Sequence, residues 1–470
     1  MWIGGRFVKT GDVLDVRAPW DGALVGRVHR AGRAEVLEAI EAAHEAFERT
    51  RSLPAHVRAA VCERVRDQIV RRYDEIVRVC SLECGKPVSY TKIEIDRAIS
   101  TFDLAGKYAL TWEGQILQPD VIKYGEGRVT LVRRFPIGVV GAITPFNWPL
   151  NLLAHKAAPA IATGNTMVLR PASQTPLTAH LLGEMIAAAG WPAGGFNVVP
   201  CSHEAADVLL EDERVRMISF TGSPEVGWAL KGRAPKKKFA LELGNNGAAI
   251  LDADADLSWA VPRIAVGAFH YAGQNCISVQ RVFAHERIFT DVKRRLLKVV
   301  KDSIKWGDPM LPDTVVGPMI SAREADRVME WIAEARAGGA RVLCGGRRHG
   351  NVIEPTILTR TTPSMKVNRL EVFAPLMTLE PWCDFDALLA HLNEGRLGIH
   401  CGLFTRDIGR AFRAWERLEM GGVIINDYPT FRVDNLPYGG VKDSGCGREG
   451  VKFAMEEMTE LKHMTINLTV

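Results

Sequence analysis

The residue types in this chain that could carry chemistry are a thiol, a carboxylate and a carboxamide. Cys276 stands in Phe269-His-Tyr-Ala-Gly-Gln-Asn-Cys276-Ile-Ser-Val-Gln-Arg281, Glu242 in Leu241-Glu242-Leu243-Gly244, and Asn147 in Pro145-Phe146-Asn147-Trp148-Pro149. A thiol can add to a carbonyl carbon, a carboxylate can take a proton from water, and a side-chain amide can donate to a developing oxyanion. Those are the requirements of acyl chemistry through a covalent intermediate. Residue types alone also admit blander readings, with Cys276 as a small buried hydrophobe and Glu242 as a buried carboxylate paired with a lysine. They admit a thiol hydrolase or amidase without redox, built on Cys276, Glu242 and Lys156.

Such groups work only when rigid elements hold them. Leu257, Val261, Ile264 and Phe269 recur at helical spacing before Cys276, while Ile277, Val279 and Val282-Phe283-Ala284 after it read as a strand. The thiol therefore sits on a Gly-Gln-Asn turn between two elements. Upstream, apolar runs at 137–143, 166–170, 196–199 and 217–221 alternate with helical patterns at 154–162, 177–189 and 203–210. That rhythm predicts an α/β fold with a parallel, doubly wound sheet, the kind that binds dinucleotides at the carboxyl ends of its strands. No GxGxxG occurs there; Gly222-Ser223-Pro224-Glu225-Val226-Gly227 stands in its place. Ser223 can cap the next helix and present backbone N–H groups to a pyrophosphate, and Gly222 lets the backbone come close, although the same residues also describe a plain cap. Further on, Ser321 and Glu324 form a capping-box pattern for a helix that turns Val328, Trp331, Ile332 and Ala335 inward and closes at Gly338-Gly339.

The first hundred residues are mostly helical. Val36, Ile40, Ala43 and Phe47 share one face over 31–50, and Val57, Val61, Val65, Ile69 and Ile76 share another over 55–79, ended by Gly85 and Pro87. A third helix carries Arg97, Phe102 and Ala105. Residues 121–134 alternate on both sides of Gly-Glu-Gly, which predicts a hairpin, and 461–470 reads as a strand. The start, Met1-Trp-Ile-Gly-Gly-Arg-Phe, reads as strand, turn and strand, so no signal peptide is expected.

With 470 residues, two domains or one large α/β unit are expected, and 47% hydrophobic with 24% charged residues is an ordinary globular balance. A net charge of +4, spread along the chain, gives no footprint for nucleic acid, and Lys236-Lys237-Lys238 reads as a solvated turn. No apolar run approaches membrane-spanning length. Nine cysteines are scattered without metal-like spacing, Cys80 and Cys84 included, so no metal site is expected and a reduced, cytoplasmic compartment is.

Taken together with Phe220-Thr221-Gly222-Ser223, the motifs around Asn147, Glu242 and Cys276 resemble those of the aldehyde dehydrogenase superfamily, in the same order. The resemblance runs from the first strand to the last ten residues. It implies a Rossmann-like cofactor domain at 1–117 and 138–244, a catalytic α/β domain at 245–443, and an oligomerisation segment at 118–137 and 458–470. In the family the hairpin reaches a neighbouring subunit and meets its C-terminal strand, which implies a homodimer or homotetramer. The implied chemistry is addition of Cys276 to an aldehyde, hydride loss to a nicotinamide cofactor, and a thioester. Asn147 and the Cys276 N–H would hold the oxyanion, and Glu242 would activate the hydrolytic water. Branches that hand the acyl group to coenzyme A commonly lack this glutamate, so a free acid is expected. Lys156 and Glu449 match positions proposed as a proton relay, and a structural ion pair would suit them equally. Glu371 and Phe373 match positions that hold the nicotinamide ribose and ring, with Ala374 and Asn245 replacing usual glycines. The stretch Pro437-Tyr-Gly-Gly-Val-Lys-Asp-Ser-Gly-Cys-Gly-Arg-Glu-Gly450 packs beside the active site in the family.

Cofactor choice turns on Leu169-Arg170-Pro171-Ala172-Ser173. Where many relatives have lysine and then glutamate, Arg170 offers a fork suited to phosphate, and Ser173 removes a carboxylate that would repel it. NADP or NAD is expected, leaning to NADP. Within the superfamily the chain is most similar to the branch of lactaldehyde, non-phosphorylating glyceraldehyde phosphate and phosphonoacetaldehyde dehydrogenases. Arg97, Arg281 and Arg432 are candidates to hold the substrate's tail, though each could form a surface or interdomain ion pair. A short aldehyde with a polar or anionic end is expected. A retired fold serving as a structural protein is the remaining alternative, against which the retention of Cys276, Glu242 and Asn147 argues.

Overall fold

The strand Val139–Ile143 is buried at every position, as a parallel strand covered on both faces must be. It is central to one of two large sheets in the computed structural model, which describes residues 1–469. That sheet has eight strands in the order Arg6–Phe7, Trp2–Ile3, Phe196–Val198, Thr166–Arg170, Val139–Ile143, Val215–Thr221, Lys238–Glu242 and Gly445–Cys446. The five from Phe196–Val198 to Lys238–Glu242 run parallel. The chain starts at Val139–Ile143, moves outward on one side, then returns to lay Val215–Thr221 and Lys238–Glu242 on the other. The order thus reverses between Val139–Ile143 and Val215–Thr221, the point where α/β sheets open a crevice for ligands. Asn147, Gly222 and Ser223 follow those two strands.

A second sheet of seven strands runs Arg341–Cys344, Thr356–Thr359, Leu376–Trp382, Arg281–His285, Ala248–Leu251, His400–Phe404 and Gly422–Ile425. Its strands are parallel apart from the edge strand Arg341–Cys344. The helix Leu257–Phe269 packs on it through Val261, Ile264, Ala265 and Phe269, and the capping-box helix Ala322–Ala337 turns Val328, Ile332 and Ala335 into the same core; Trp331 packs at its margin. The long helix Val88–Leu110 carries Arg97 and lies against Ala55–Arg71 and Asn151–Thr163 in the first core.

The structure differs from the sequence expectations at four places. The helix expected over 55–79 is two helices, Ala55–Arg71 and Tyr73–Cys84, broken at Arg72 (φ −100°, ψ 19°). Arg72 there binds Glu75 and Glu184 at 2.8 Å each, and Ile69 and Ile76 stay buried across the break, so apolar spacing did not reveal it. The helix expected near 203–210 is likewise two short ones, His203–Ala206 and Val208–Glu211. The hairpin partner of Arg128–Pro136 is Gln115–Leu117; Lys123–Gly125 is a 3₁₀ turn and its neighbours Val121, Ile122 and Tyr124 are exposed. The strand after Cys276 begins at Arg281, because Ile277–Gln280 forms a buried irregular link. The C-terminal strand Thr459–Asn467 pairs along its length with Arg128–Pro136 of its own chain. Helix Val451–Glu457 runs directly into it, and the Met458 carbonyl accepts from the Ile137 N–H (3.1 Å) and from Asn165 Nδ2 (2.9 Å), which fixes its starting point.

Candidate active site

Cys276 is presented by strained backbone. Helix Leu257–Phe269 is capped at its start by Asp256, which accepts from the N–H groups of Ser258 and Trp259. After it the chain passes through Tyr271 (φ 51°), Ala272 (φ 54°) and Gly273 (φ 65°), all left-handed. For Tyr and Ala that conformation costs about 1–2 kcal/mol each, so packing must hold it. The Tyr271 N–H donates to the Val315 carbonyl (2.9 Å), its hydroxyl donates to the Cys84 carbonyl (3.2 Å), and Gln274 Oε1 accepts from the Ile320 N–H (2.9 Å). A cradle of fixed contacts aims the next residues, Asn275 and Cys276.

The thiol stands between two cavities. The larger, about 170 Å³, is lined by Tyr90, Arg97, Trp148, His270 and Arg432 among others, with Cys276 in its wall. The smaller, about 10 Å³, lies on the other side of Cys276 against Asn245, Glu371, Phe373 and Ala374. Burial pushes the thiol up to about 11, against the opposing influence of Tyr438 and Arg432. Tyr438 Oη lies 2.7 Å from Cys276 Sγ. Asn147 Nδ2, in the loop after Val139–Ile143, donates to the Gln274 carbonyl (3.1 Å), two residues from the sulfur.

Glu242 ends the strand Lys238–Glu242 and is buried, with Oε2 lacking a hydrogen-bond partner and Oε1 against Gly439. A Cβ at Gly439 would lie 2.9 Å from that oxygen, which explains a glycine there. Burial, then the neighbouring Glu449 carboxylate, raise Glu242 well above the ordinary carboxylate range. Glu449 is itself buried, yet Lys156 and Arg432 outweigh that and bring it down to about 2. Lys156 Nζ donates to Ser219 Oγ (3.0 Å) and Glu449 Oε1 (3.3 Å), and Arg432 donates to Glu449 Oε2 (2.9 Å). Arg97 pairs with Asp434 at 2.6 Å, and Asp434 also faces His155 Nε2 at 2.8 Å. Burial first, then Arg432, lower the His155 pKa and keep the ring neutral. Arg97 and Arg432 line the larger cavity, each held by a buried carboxylate, Asp434 and Glu449, and Lys156 shares Glu449 with Arg432.

The residues expected at the cofactor lie at the carboxyl ends of strands in the first sheet, apart from Glu371 and Phe373, which line the small cavity. Arg170 ends Thr166–Arg170; its Nε donates to the Cys201 carbonyl (3.3 Å), and no carboxylate within the described residues pairs with it. Ser173 is exposed just past it. Ser223 Oγ accepts from the Val226 N–H (3.4 Å) and caps Pro224–Arg233, and a Cβ at Gly222 would lie 2.5 Å from the Phe220 ring. Glu371 accepts from the Asn245 N–H (2.9 Å) and is raised to about 8 by burial. Phe373 is left-handed (φ 52°) and meets Phe146 edge-on at 6.1 Å. Asn245 is pinned: its Oδ1 accepts from the Ile399 N–H (3.1 Å).

Of the three arginines expected at the substrate, Arg97 and Arg432 line the cavity with Cys276. Arg281 does not. It is buried in the second sheet, donates to the Asn246 carbonyl (3.0 Å) and lies 5.9 Å from the Phe283 ring centroid. Its bond to Asn246 keeps the guanidinium inside the second sheet, and it does not line the cavity. Sequence reasoning missed Tyr438, Asp434 and His155; each is ordinary in type and acquires its place only through tertiary contact. It missed the fully buried pair of Lys86 and Glu94 as well, whose ammonium sits 3.9 Å from the Trp148 ring centroid. Among the described residues there is no cluster suited to a metal ion and no helix long and apolar enough to cross a membrane.

A model of the aldehyde dehydrogenase family matches residues 7–464. The 3-sulfolactaldehyde dehydrogenase of Priestia aryabhattai is 38% identical over 469 residues, covering 100% of this chain and 98% of that protein. The crystal structure of aldehyde dehydrogenase 21 from Physcomitrella patens, in complex with the reaction product succinate, superposes with a TM-score of 0.98 at 39% identity, covering 100% of this chain and 98% of that one. That of glyceraldehyde-3-phosphate dehydrogenase GapN from Methanocaldococcus jannaschii, complexed with NADP, gives a TM-score of 0.93 at 37% identity, covering 97% and 99%.

Proposed function

This chain belongs to the aldehyde dehydrogenase family, and from that premise we propose that it oxidises a short aldehyde with a polar or anionic end to the carboxylic acid, using NADP or NAD. The observation that carries this reading is Cys276 standing between two cavities, one with Arg97 and Arg432, the other with Glu371 and Phe373. The aldehyde lies in the first, and its tail meets the guanidinium groups of Arg97 and Arg432 in that cavity's wall. The thiolate of Cys276 adds to the carbonyl carbon, giving a thiohemiacetal. Its oxyanion takes hydrogen bonds from Asn147 Nδ2, which exchanges the Gln274 carbonyl for it, and from the Cys276 N–H. The nicotinamide cofactor supplies the hydride acceptor. Arg170, Ser173, Gly222, Ser223, Glu371 and Phe373 would hold it: an arginine without a carboxylate partner and a capped helix start suit phosphates, and Ser173 tolerates the extra phosphate of NADP. Glu242, once it has lost its proton, takes one from the water that hydrolyses the thioester. Lys156 and Glu449 pass that proton outward.

The domain division belongs to the same proposal, with cofactor residues on the first sheet (1–117 and 138–244) and Cys276 within 245–443. So does a cytoplasmic homodimer or homotetramer assembled through 118–137 and 458–470, where Ile116, Leu461 and Met464 are exposed on the three-stranded sheet. The test is formation of reduced cofactor from NAD and NADP with lactaldehyde, glyceraldehyde phosphate, phosphonoacetaldehyde and an uncharged alkanal. Anionic aldehydes should give the highest kcat/KM, and Cys276→Ala should abolish turnover while still binding cofactor. A preference for the plain alkanal would refute the substrate class; residual turnover near wild type in Cys276→Ala would refute the mechanism.

A further inference from the structure

A half-buried thiol that must become an anion needs a donor, and the chain places one on it. Tyr438 is fully buried, with Oη 2.7 Å from Cys276 Sγ and no other partner among the described residues. Its position is over-determined. Tyr438 and Glu449 exchange backbone hydrogen bonds (2.9 and 2.6 Å), the Arg432 guanidinium lies 3.5 Å from the Tyr438 ring centroid, and His400 packs edge-on at 5.4 Å. Arg432 is in turn tied to Glu449. Glu449 therefore fixes the cation over the ring through its carboxylate and the Tyr438 backbone through its own main chain.

We propose that Tyr438 is a catalytic residue that donates its hydroxyl hydrogen bond to the Cys276 thiolate and so sets the reactivity of the nucleophile. The balance is simple: the S–H proton leaves through the larger cavity, the sulfur keeps the electron pair, and Tyr438 keeps its own O–H bond throughout. Tyr438 does not serve as the base, since burial raises its own pKa well above the ordinary phenol value. A cation on the ring face withdraws charge from the phenol and makes its hydroxyl a stronger donor. The other groups facing the sulfur do not supply this. Glu371 and Glu242 are acids that oppose ionisation, Arg432 acts across the ring, Arg97 is engaged by Asp434, and His270 is held neutral, lowered to about 4 by burial. The inference rests on Cys276 being the nucleophile of the proposed reaction.

The test is Tyr438→Phe, which removes one hydroxyl from a ring that keeps its packing. Alkylation of Cys276 by iodoacetamide, followed by peptide mass analysis, reads the thiolate without any turnover. A hydrogen bond to a charged group is worth about one to two pKa units. Each unit lowers the thiolate fraction about tenfold, while the more basic sulfur regains about threefold in nucleophilicity. The expected result at neutral pH is alkylation about three- to tenfold slower than wild type, with the gap narrowing only once the pH rises through the wild-type thiol's pKa of about 11. An equal rate or a faster one at neutral pH would overturn the proposal, as would a gap that persists unchanged above that pKa, which would mean a displaced sulfur. Slower alkylation with no aldehyde oxidation by wild type would sink the function and leave the donor standing; the reverse pattern would sink the donor alone.

Discussion

Replacing Glu242 with glutamine preserves the volume of the side chain and removes its acid–base chemistry. Its Oε2 has no hydrogen-bond partner, so the amide breaks no bond there. Burial and then Glu449 raise the carboxyl well above its ordinary range, with Arg432, Lys156 and Arg448 opposing them incompletely. Two consequences follow, one kinetic and one thermodynamic. Thioester hydrolysis loses its base, which typically costs about 10²–10⁴-fold, while formation of the thioester proceeds. Stopped-flow absorbance should show a burst of about one reduced cofactor per chain, then a steady rate lower by that factor. For stability, an acid whose folded pKa is raised holds its proton after the unfolded chain has released it. Native stability is therefore lost progressively as pH rises above the unfolded carboxyl value of about 4.3. Glutamine carries no such loss. The Tm of Glu242→Gln should match wild type near pH 4 and exceed it increasingly as the pH rises above that unfolded value, in the manner that linkage requires. An unchanged steady rate would remove Glu242 from hydrolysis, and a Tm difference independent of pH would refute the raised pKa.

Arg97→Met should raise KM for an anionic aldehyde about 10–100-fold, the worth of one charged hydrogen bond, and leave an uncharged alkanal nearly unaffected; equal losses would mean that Arg97 acts only through Asp434. Ser173→Glu should weaken NADP about tenfold or more relative to NAD, by placing a carboxylate against the extra phosphate, and equal effects on both would put the ribose pocket elsewhere. Lys86→Met should cost about 3–5 kcal/mol of stability, because it strands the Glu94 carboxylate in a fully buried site; a change below about 1 kcal/mol in denaturant titration would show the pair to be dispensable.

The doubly wound sheet was legible because buried parallel strands are continuous apolar runs, and 137–143, 166–170 and 217–221 are such runs separated by helical patterns. The motifs around Cys276, Glu242 and Asn147 are local patterns, and they carried the proposal of those residues from sequence. What escaped notice depends on contacts distant in sequence. Tyr438 reaches Cys276 across 162 positions and Asp434 reaches Arg97 across 337, distances over which spacing carries no signal. Arg281 misled for the opposite reason, since it is near Cys276 in sequence yet opens a buried strand of the second sheet and does not line the same cavity. The break at Arg72 left no trace because both helices bury the same apolar series, and the C-terminal strand's partner is set by where Met458 anchors, not by any property of the strand itself.

The covalent step is the centre of the account and is directly observable. Glu242→Gln mixed with NADP and an anionic aldehyde, acid-quenched within the burst and digested, should yield the peptide containing Cys276 heavier by one acyl group, in an amount equal to the reduced cofactor formed. Reduced cofactor without that adduct, or an adduct on any other residue, would contradict Cys276 as the nucleophile.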